Sequence, residues 1–396
     1  MPRRAVLTLV ALAVFVAGCD GSADRQAATT SAPPPGKRAP AKPSAHKHAR
    51  HGRHRAFKVP PLLDKSNVYA ADVANRLSPV VRRFRPLIYV PNSLSNTVDE
   101  IDPRTYKIVR HFKVGALPQH VVPSYDLKTL WVNNDKGNSL TPINPRNGKP
   151  GKPVPVLDPY NLYFTPDGAF AIVMAEAFQR IDFRDPHSMK LRHTLSLPSC
   201  PGVNHADFSR NGRLMLASCE FGGRMILVDV PHQKLLRTIT LKPGAAPQDV
   251  KLSPDGRVFY VADMISNGVW KISARTYKPI GFIPTGLGAH GLYVSRDDRY
   301  LYVSNRRDSS ISLISLKTRK QVRKWRIPGG ATPDMGGVST DGKVLWLAGR
   351  YSSEVYAIST RTGKLKKRIH VGLGPHGLCV YPQPGRYSLG HTGVFR

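Results

Sequence analysis

Acidic residues are scarce in this sequence. Asp and Glu together number 26, against 59 Lys and Arg, which gives a formal net charge of +33 at pH 7. The excess is not confined to a tail, because residues 1–58 hold eleven Lys or Arg and two acids, leaving 48 basic and 24 acidic residues after them. Such a charge favours anionic partners such as phospholipid headgroups, envelope polymers or nucleic acid. No basic cluster interleaved with aromatic residues stands out, so adhesion to an anionic envelope polymer is favoured over binding of single-stranded nucleic acid.

Long apolar runs are also rare, and the first one lies at the N-terminus. Residues 1–18 place two arginines before an apolar stretch too short to span a bilayer comfortably, which is typical of an export signal. The junction Val16-Ala17-Gly18-Cys19 resembles the bacterial lipobox, in which Cys19 is acylated. We therefore expect an exported protein held on the extracytoplasmic side of the cell membrane by a lipid anchor, with simple secretion as the alternative.

Only three other cysteines occur. Cys200 and Cys219 flank a predicted hairpin, and an oxidising envelope would permit a disulfide between them. Cys379 lies in an apolar strand and is expected to be a small buried hydrophobe.

Residues 19–65 lack the composition needed for a hydrophobic core. They are rich in Pro, Ala and Lys, and end in a tract that contains His46, His48, His51 and His54. A histidine-rich tract can bind metal ions, but this charge density favours a disordered, solvated cationic tether.

Recognisable catalytic motifs are missing as well. The sequence has no Gly-rich phosphate loop, no Gly-x-Ser-x-Gly elbow and no His-Glu-x-x-His helix. The absence favours a binding protein over an enzyme and leaves enzymatic activity open.

What the sequence does contain is a unit of just over forty residues that recurs seven times. Each unit has a polar doublet, a turn such as Ser253-Pro-Asp-Gly256 and a β-rich run. The second members of successive doublets are 41 to 44 residues apart. The doublets are Gln119-His120, Tyr160-Asn161, Asn204-His205, Gln248-Asp249, His290-Gly291, Asp334-Met335 and His376-Gly377.

This period predicts a β-propeller over residues 66–396. Four strand-like segments per unit predict seven four-stranded antiparallel blades, an all-β fold. The last innermost strand is expected to complete a blade begun by the first strands, which removes exposed sheet edges. Residues 386–396 look like one more second strand, so an eighth, partial blade stays open.

Several of these segments carry a family resemblance. Tyr89-Val-Pro-Asn92, Tyr260-Val-Ala-Asp263 and Tyr302-Val-Ser-Asn305, with the Ser-Pro-Asp-Gly turns, resemble YVTN-type (YncE-like) β-propeller repeats. The resemblance implies the fold and an exported location, but no specific activity. The pattern is more distantly similar to propellers of the cytochrome d1, nitrous-oxide reductase and lactonase types.

Strand polarity places the doublets on one face of the predicted propeller. The loop entering each first strand and the loop leaving each second strand lie at the same end, so both should surround one mouth of the central channel. The predicted ligand-binding funnel consists of Gln119, His120, Asn161, Asn204, His205, Asp249, His290, Asp334 and His376, ringed by Asn134, Glu176, Glu220, Asp263, Arg306 and Arg350.

The funnel suggests two functions. Imidazole and carboxylate groups are ligands for Zn, Cu or Fe(II), so His120, His205, His290 and His376 are candidate ligands of a transition metal ion. The resemblance to nitrous-oxide reductase does not extend to its paired histidines or a cupredoxin domain. The leading hypothesis is a monomeric ligand- or partner-binding scaffold at the cell envelope, whose partner is an anionic polymer or a protein. The alternative is a metal-dependent propeller enzyme or a lactonase-like hydrolase, in which Arg306 or Arg350 would hold an anionic substrate.

Overall fold

Seven antiparallel sheets surround a central channel in a computed structural model, which describes residues 56–391 and 394–396. The predicted seven-bladed propeller is therefore confirmed. In blade 1 the strands run from the channel outwards as β29 (Cys379–Tyr381), β1 (Leu87–Asn92), β2 (Thr97–Asp102) and β3 (Lys107–Lys113). In blade 2 they are β4 (Pro118–Pro123), β5 (Leu130–Asn134), β6 (Ser139–Asn144), β7 (Lys149–Pro150) and β8 (Val154–Pro155), where both β7 and β8 pair with β6.

The other five blades follow one pattern. Blade 3 contains β9 (Asn161–Phe164), β10 (Ala171–Ala175), β11 (Arg180–Arg184) and β12 (Leu191–Ser196). Blade 4 contains β13 (Val203–Phe208), β14 (Leu214–Cys219), β15 (Arg224–Asp229) and β16 (Lys234–Thr240), with a short 3-10 helix at Glu220–Gly222. Blade 5 contains β17 (Pro247–Leu252), β18 (Val258–Asp263), β19 (Gly268–Ser273) and β20 (Pro279–Pro284). Blade 6 contains β21 (Ala289–Val294), β22 (Tyr300–Asn305), β23 (Ser310–Ser315) and β24 (Lys320–Arg326). Blade 7 contains β25 (Pro333–Val338), β26 (Val344–Gly349), β27 (Glu354–Ser359) and β28 (Leu365–His370).

The core lies between the blades. Successive side chains of a strand point to opposite sides of its sheet, so each second strand packs against both neighbouring blades. In β22, Leu301 and Val303 pack against blade 5, whereas Tyr302 between them packs against blade 7. Burial on both sides explains why these strands are almost continuously apolar in the sequence.

Tight turns join the first and second strands. In blade 5 the Ser253 hydroxyl accepts hydrogen bonds from the backbone N–H groups of Arg257 and Val258 and donates to Asp255. Gly256 follows with a φ of +67°, a conformation that glycine adopts without steric cost. The Ser-Pro-Asp-Gly pattern therefore encodes the reversal of the chain.

The ring closes through blade 1. β29 pairs antiparallel with β1, with Ile88 opposite Val380, so the C-terminal part of the chain supplies the innermost strand of a blade begun near the N-terminus. The closure predicted from the sequence is confirmed.

The chain segments that flank the blades meet at one end of the channel, which we call the opposite face. It is the end at which first strands turn into second strands. Residues 56–86 lie there, where Val68 N–H donates to Pro254 O and Asp72 pairs with Arg296. The compact unit extends from Ala56 to Arg396.

Residues 386–396 do not form an eighth blade. After β29 the chain turns into the channel, where Leu389 O accepts a hydrogen bond from Phe164 N–H and His391 N–H donates to Leu162 O. Arg396 pairs with Asp207 of blade 4 at 2.8 Å. The segment therefore lies in the channel beside blades 3 and 4, and Gly390 forms an isolated antiparallel bridge with Tyr163 of β9.

Within the described residues, no helix has the length and apolar character required to span a membrane. The predicted export signal, Cys19 and the histidine-rich tract lie outside the described residues. Cys200 and Cys219 form a disulfide, and Cys379 is buried as a free thiol.

Candidate binding site in the channel

The polar doublets lie at the other end of the channel, which we call the mouth face. It is the end at which fourth strands lead into first strands and second strands lead into third strands. In blades 2, 4, 5, 6 and 7 the pairing of the first strand with the second is irregular at the doublet. In blade 4, for example, the register shifts between Val203 and Ala206, and the doublet lies between them. Such bulges re-aim side chains, here into the channel.

Five histidines from distant parts of the chain meet there. We call them the imidazole cluster: His120, His205, His290, His376 and His391. The ring centroid of His120 is 5.6 Å from that of His205, 4.9 Å from His376 and 5.1 Å from His391. The rings of His205 and His391 are 4.9 Å apart. None of the five side chains is more than 2% exposed.

His391 was missed by the sequence analysis as a site residue. It lies beyond the last repeat, so the repeat period does not predict its position. It reaches the cluster because the C-terminal segment runs into the channel. The other four are the candidate metal ligands predicted from the sequence. Three of them belong to two groups of contacts, and His120 packs against rings of both groups without a hydrogen bond to either.

One group is organised by Asp334. Its carboxylate lies 2.7 Å from His376 Nδ1 and 3.0 Å from His290 Nδ1, and Arg306 donates to it at 2.5 Å. Burial alone would raise the pKa of Asp334, but the nearby Arg306 and His290 outweigh burial and lower it. Asp334 is thus an anion that is hydrogen-bonded to His376 and Arg306 and lies close to His290.

The other group is organised by Asn161. Its side-chain oxygen accepts a hydrogen bond from Leu162 N–H at 2.9 Å, which identifies Nδ2 as the atom facing the cluster. Nδ2 lies 3.1 Å from Nδ1 of His205 and 3.1 Å from Nδ1 of His391. On the far side of His391, Nε2 is 3.6 Å from Asp249 Oδ1. Both imidazoles therefore present an Nδ1 lone pair to one amide.

Several ring nitrogens have no hydrogen-bond partner in the described structure. These are both nitrogens of His120, Nε2 of His205, Nε2 of His376 and Nδ1 of His290, which lies 3.0 Å from Asp334 without the geometry of a hydrogen bond. A buried polar atom without a partner costs about 1–3 kcal/mol, so native structures seldom keep several in one place. The cluster is thus suited to hold something besides protein atoms.

Burial disfavours the charged form of all five imidazoles. Burial is the largest cause of the lowered pKa in each case. The other imidazoles of the cluster lower the pKa of His120 further, and Arg306 and Arg350 lower those of His290 and His376 respectively. The pKa of His205 falls to about 3. Neutral imidazole is the form that ligates metal ions.

Above the cluster, the mouth carries carboxyl groups on one side and guanidinium groups on the other. Glu176 and Glu220 come from blades 3 and 4, and Arg306 and Arg350 from blades 6 and 7. Burial, and then Glu220, raise the pKa of Glu176 to about 8, and burial raises the pKa of Glu220. Asn204 Nδ2 donates to Glu220 at 2.7 Å and lies 3.5 Å from Glu176.

Tyr160 lies between this ring of charges and the imidazoles. Its ring is 5.6 Å from His120, 6.0 Å from His205 and 6.4 Å from His376. The carboxyl groups of Glu176 and Glu220, after burial, raise its pKa. Tyr160 is only 8% exposed and therefore covers the cluster on the mouth side.

Two members of the predicted outer ring have other contacts. Asn134 donates to Ser139 and Thr141, and Asp263 accepts from Ser266 and Trp270, so both hold hairpins of their own blades. They are the last residues of their second strands, whereas the four charged members come one position later. A shift of one residue in a strand reverses the direction of the side chain.

The remaining funnel residues line the same end. Gln119 accepts a hydrogen bond from Arg350 at 3.4 Å. Gln248 is fully buried beside Asp249. The carboxylate of Asp249 accepts hydrogen bonds from the backbone N–H groups of Val250 and Leu292.

A family model for YNCE-like β-propellers matches residues 78–385. The chain belongs to the YNCE-like β-propeller family. Among curated proteins, none matches the sequence significantly.

Solved structures similar to this YNCE-like propeller show the same fold at low identity. A predicted 6-phosphogluconolactonase from Bacteroides fragilis is 17% identical, with a TM-score of 0.61, over 75% of this chain and 98% of that chain. A functionally unknown protein from Desulfotomaculum acetoxidans is 17% identical, with a TM-score of 0.60, over 73% and 98%. Hydrazine synthase from Kuenenia stuttgartiensis is 18% identical, with a TM-score of 0.56, over 65% and 87%. Identities this low carry the fold and not the activity.

The mouth of the YNCE-like propeller is bordered by exposed apolar side chains. We call them the apolar rim: Leu94, Leu157, Phe178, Phe221, Ile265, Leu287, Tyr351 and Leu373, each at least half exposed. They belong to loops on the mouth face. The turns between strands on the opposite face contribute no exposed large apolar side chain to the described surface.

Proposed function

We propose that this YNCE-like propeller is an exported, lipid-anchored scaffold that binds a protein partner at its mouth face. The observation that carries the proposal is the apolar rim around the charged mouth. Exposed large apolar side chains that are gathered on one face and bordered by polar groups are typical of interaction sites. Aromatic members such as Phe178, Phe221 and Tyr351 are the residue types that anchor protein interfaces.

Charge favours a protein over a nucleic acid at this face. The loops of the mouth face hold five basic residues (Lys136, Lys242, Arg306, Arg307 and Arg350) and five acidic residues (Asp135, Asp158, Glu176, Glu220 and Asp308). A balanced surface gives little attraction for a phosphate backbone, which dominates the affinity of nucleic-acid binding.

The excess positive charge lies elsewhere and supports a second contact, with an anionic envelope polymer or the membrane surface. The outer strands, which are the fourth strands of the blades, carry fourteen Lys or Arg and no acidic residue. A lipid anchor at Cys19 would keep this surface near anionic headgroups. A Cys19→Ala substitution should move the protein from the membrane fraction to the soluble fraction.

The mouth proposal is tested by site-specific crosslinking in the cell envelope. A photoreactive residue is placed at Phe178 or Phe221 and, as matched controls on equally exposed apolar positions of the outer strands, at Leu236 or Ile280. We expect one defined adduct from the mouth positions alone. Adducts at equal yield from all four positions would contradict the proposal.

Affinity for the partner so identified gives the second measurement. The triple variant Phe178→Ser, Phe221→Ser, Tyr351→Ser should bind at least about tenfold more weakly, because truncating aromatic anchors removes more than about 1 kcal/mol each. The controls Leu236→Ser and Ile280→Ser should bind like the wild type. Unchanged affinity of the triple variant would refute a role for the rim.

A lactonase-like hydrolase is the second candidate. Glu176, with a pKa of about 8, holds a proton at pH 7 and could act as a general acid, and Arg306 and Arg350 lie across the mouth to hold an anionic substrate. Hydrolysis of a sugar lactone phosphate that is lost in Glu176→Gln would favour this function. No turnover above the rate of Glu176→Gln would exclude it.

A further inference from the structure

Three members of the imidazole cluster place nitrogen atoms close enough to share one ion. One ring nitrogen from each of His120, His205 and His391 lies within 4.8 Å of the other two. All three side chains are fully buried. Metal–nitrogen distances of about 2.0–2.1 Å would draw the three atoms to roughly 3.4 Å from one another.

The unpartnered nitrogens supply a second, independent observation. Neither nitrogen of His120 has a hydrogen-bond partner in the described structure, although the ring is fully buried. A neutral imidazole has one donor and one acceptor, so His120 leaves both unsatisfied. A ligand at this point would remove that cost.

The surroundings of the three rings resemble those of metal ligands. His391 has Asp249 on its Nε2 side, and a carboxylate behind a histidine is the usual support of a metal-bound imidazole. His376, whose ring is 4.9 Å from that of His120, has its Nδ1 fixed by Asp334 and its Nε2 unpartnered. It is therefore available beside the three as a further ligand.

We propose that the channel binds one late first-row divalent metal ion through His120, His205 and His391. Three neutral imidazoles suit Zn²⁺, Cu²⁺, Ni²⁺ or Co²⁺ rather than Mg²⁺ or Ca²⁺, which prefer oxygen ligands. The site differs from the ligand set predicted from the sequence, because His290 is engaged by Arg306 and Asp334, whereas His391 enters from the C-terminal segment.

Asn161 decides how the ion enters. Its amino group occupies the point on which the Nδ1 lone pairs of His205 and His391 converge. Binding there requires this amide to turn aside. Replacing it by a carboxylate exchanges two hydrogen-bond donors for a negatively charged ligand of the same size.

The test is metal binding by the full chain in which His46, His48, His51 and His54 are replaced by Asn and no affinity tag is present. We expect one Co²⁺ per chain after dialysis, measured by elemental analysis, with the visible absorption of a low-coordinate cobalt site. His120→Asn, His205→Asn and His391→Asn should each weaken binding at least about a hundredfold, the scale on which the loss of one of three ligands acts.

Two further variants separate loss of a metal ligand from loss of folding. His193→Asn, on an exposed position of β12, should leave stoichiometry and absorption unchanged. Asn161→Asp should tighten binding, a gain that a merely unfolded variant could not give. A wild-type chain that holds no Co²⁺, Zn²⁺ or Cu²⁺ after dialysis, or three histidine variants that retain one ion each, would overturn the proposal. Neither result bears on partner binding at the apolar rim.

Discussion

The two faces of the propeller are built from the same repeat and differ in almost every surface property. Loops of the mouth face carry equal numbers of basic and acidic residues and expose the apolar rim. Turns of the opposite face carry sixteen Lys or Arg and seven Asp, and the segment of residues 56–86 lies across them. The mouth face therefore exposes apolar side chains that lower solubility. The opposite face is covered by residues 56–86 and carries an excess of positive charge.

The buried polar groups at the two ends of the channel differ in how many of them have hydrogen-bond partners. Near the opposite face, Arg296 bonds Asp72, Gln383 Oε1 and Val338 O, so its charge is fully satisfied. In the mouth-side cluster, several imidazole nitrogens lack partners. Satisfied polar networks serve the fold, and unsatisfied ones indicate a binding site.

The largest expected effect on the free energy of unfolding comes from removing the ion pair that joins residues 56–86 to the opposite face. Asp72→Ala leaves the buried guanidinium of Arg296 without its carboxylate, and removing one partner of a buried ion pair costs about 3–5 kcal/mol. Chemical denaturation should show a loss of this size, with metal binding in the channel unchanged at temperatures where the variant is folded. A loss below about 1 kcal/mol would show that the chain ends are not part of the stable unit.

The disulfide of blade 4 should have the next largest effect. Cys200 and Cys219 are 19 residues apart, and closing a loop of this length stabilises a fold by about 3 kcal/mol. The variant Cys200→Ser, Cys219→Ser should lose about this amount in denaturation, and Cys379→Ser is the matched control for a buried cysteine outside the loop. Equal stability with and without reductant would contradict the prediction.

The imidazole cluster should make the metal-free protein sensitive to acid. The folded-state pKa of His205 is about 3, below its usual value of 6.5, so the unfolded chain binds a proton that the folded chain does not between those values. Stability is thus complete above pH 6.5 and is lost as the pH falls, by about 1.4 kcal/mol per pH unit for each such ring. From pH 6.5 to pH 5, His205→Asn should lose about 2 kcal/mol less than the wild type.

The smallest effect on stability concerns the outer strands. Lys366→Glu and Lys367→Glu in β28 lie on exposed positions, so each should change the free energy of unfolding by less than about 0.5 kcal/mol. Binding to anionic phospholipid vesicles should weaken and lose part of its salt dependence. Crosslinking from the mouth face should be unaffected, and any loss there would show that one surface serves both partners.

Much of the fold could be predicted because it is periodic. The turns between first and second strands, the apolar second strands and the doublets recur from blade to blade. One alignment of the repeats therefore identifies the equivalent residue in all seven blades. The histidines of four doublets were placed at one mouth by this register alone. What departs from the period was not predictable, namely His391 in the channel and the one-residue offset between Asn134 and Glu176.

The amino-acid sequence by itself determined the seven blades, the closure through β29 and the end of the channel at which the doublets lie, because strand period and turn chemistry are local properties. Only the tertiary structure decided which histidines approach one another and where the C-terminal segment runs. These depend on contacts between residues hundreds of positions apart, for which the chain carries no local signal.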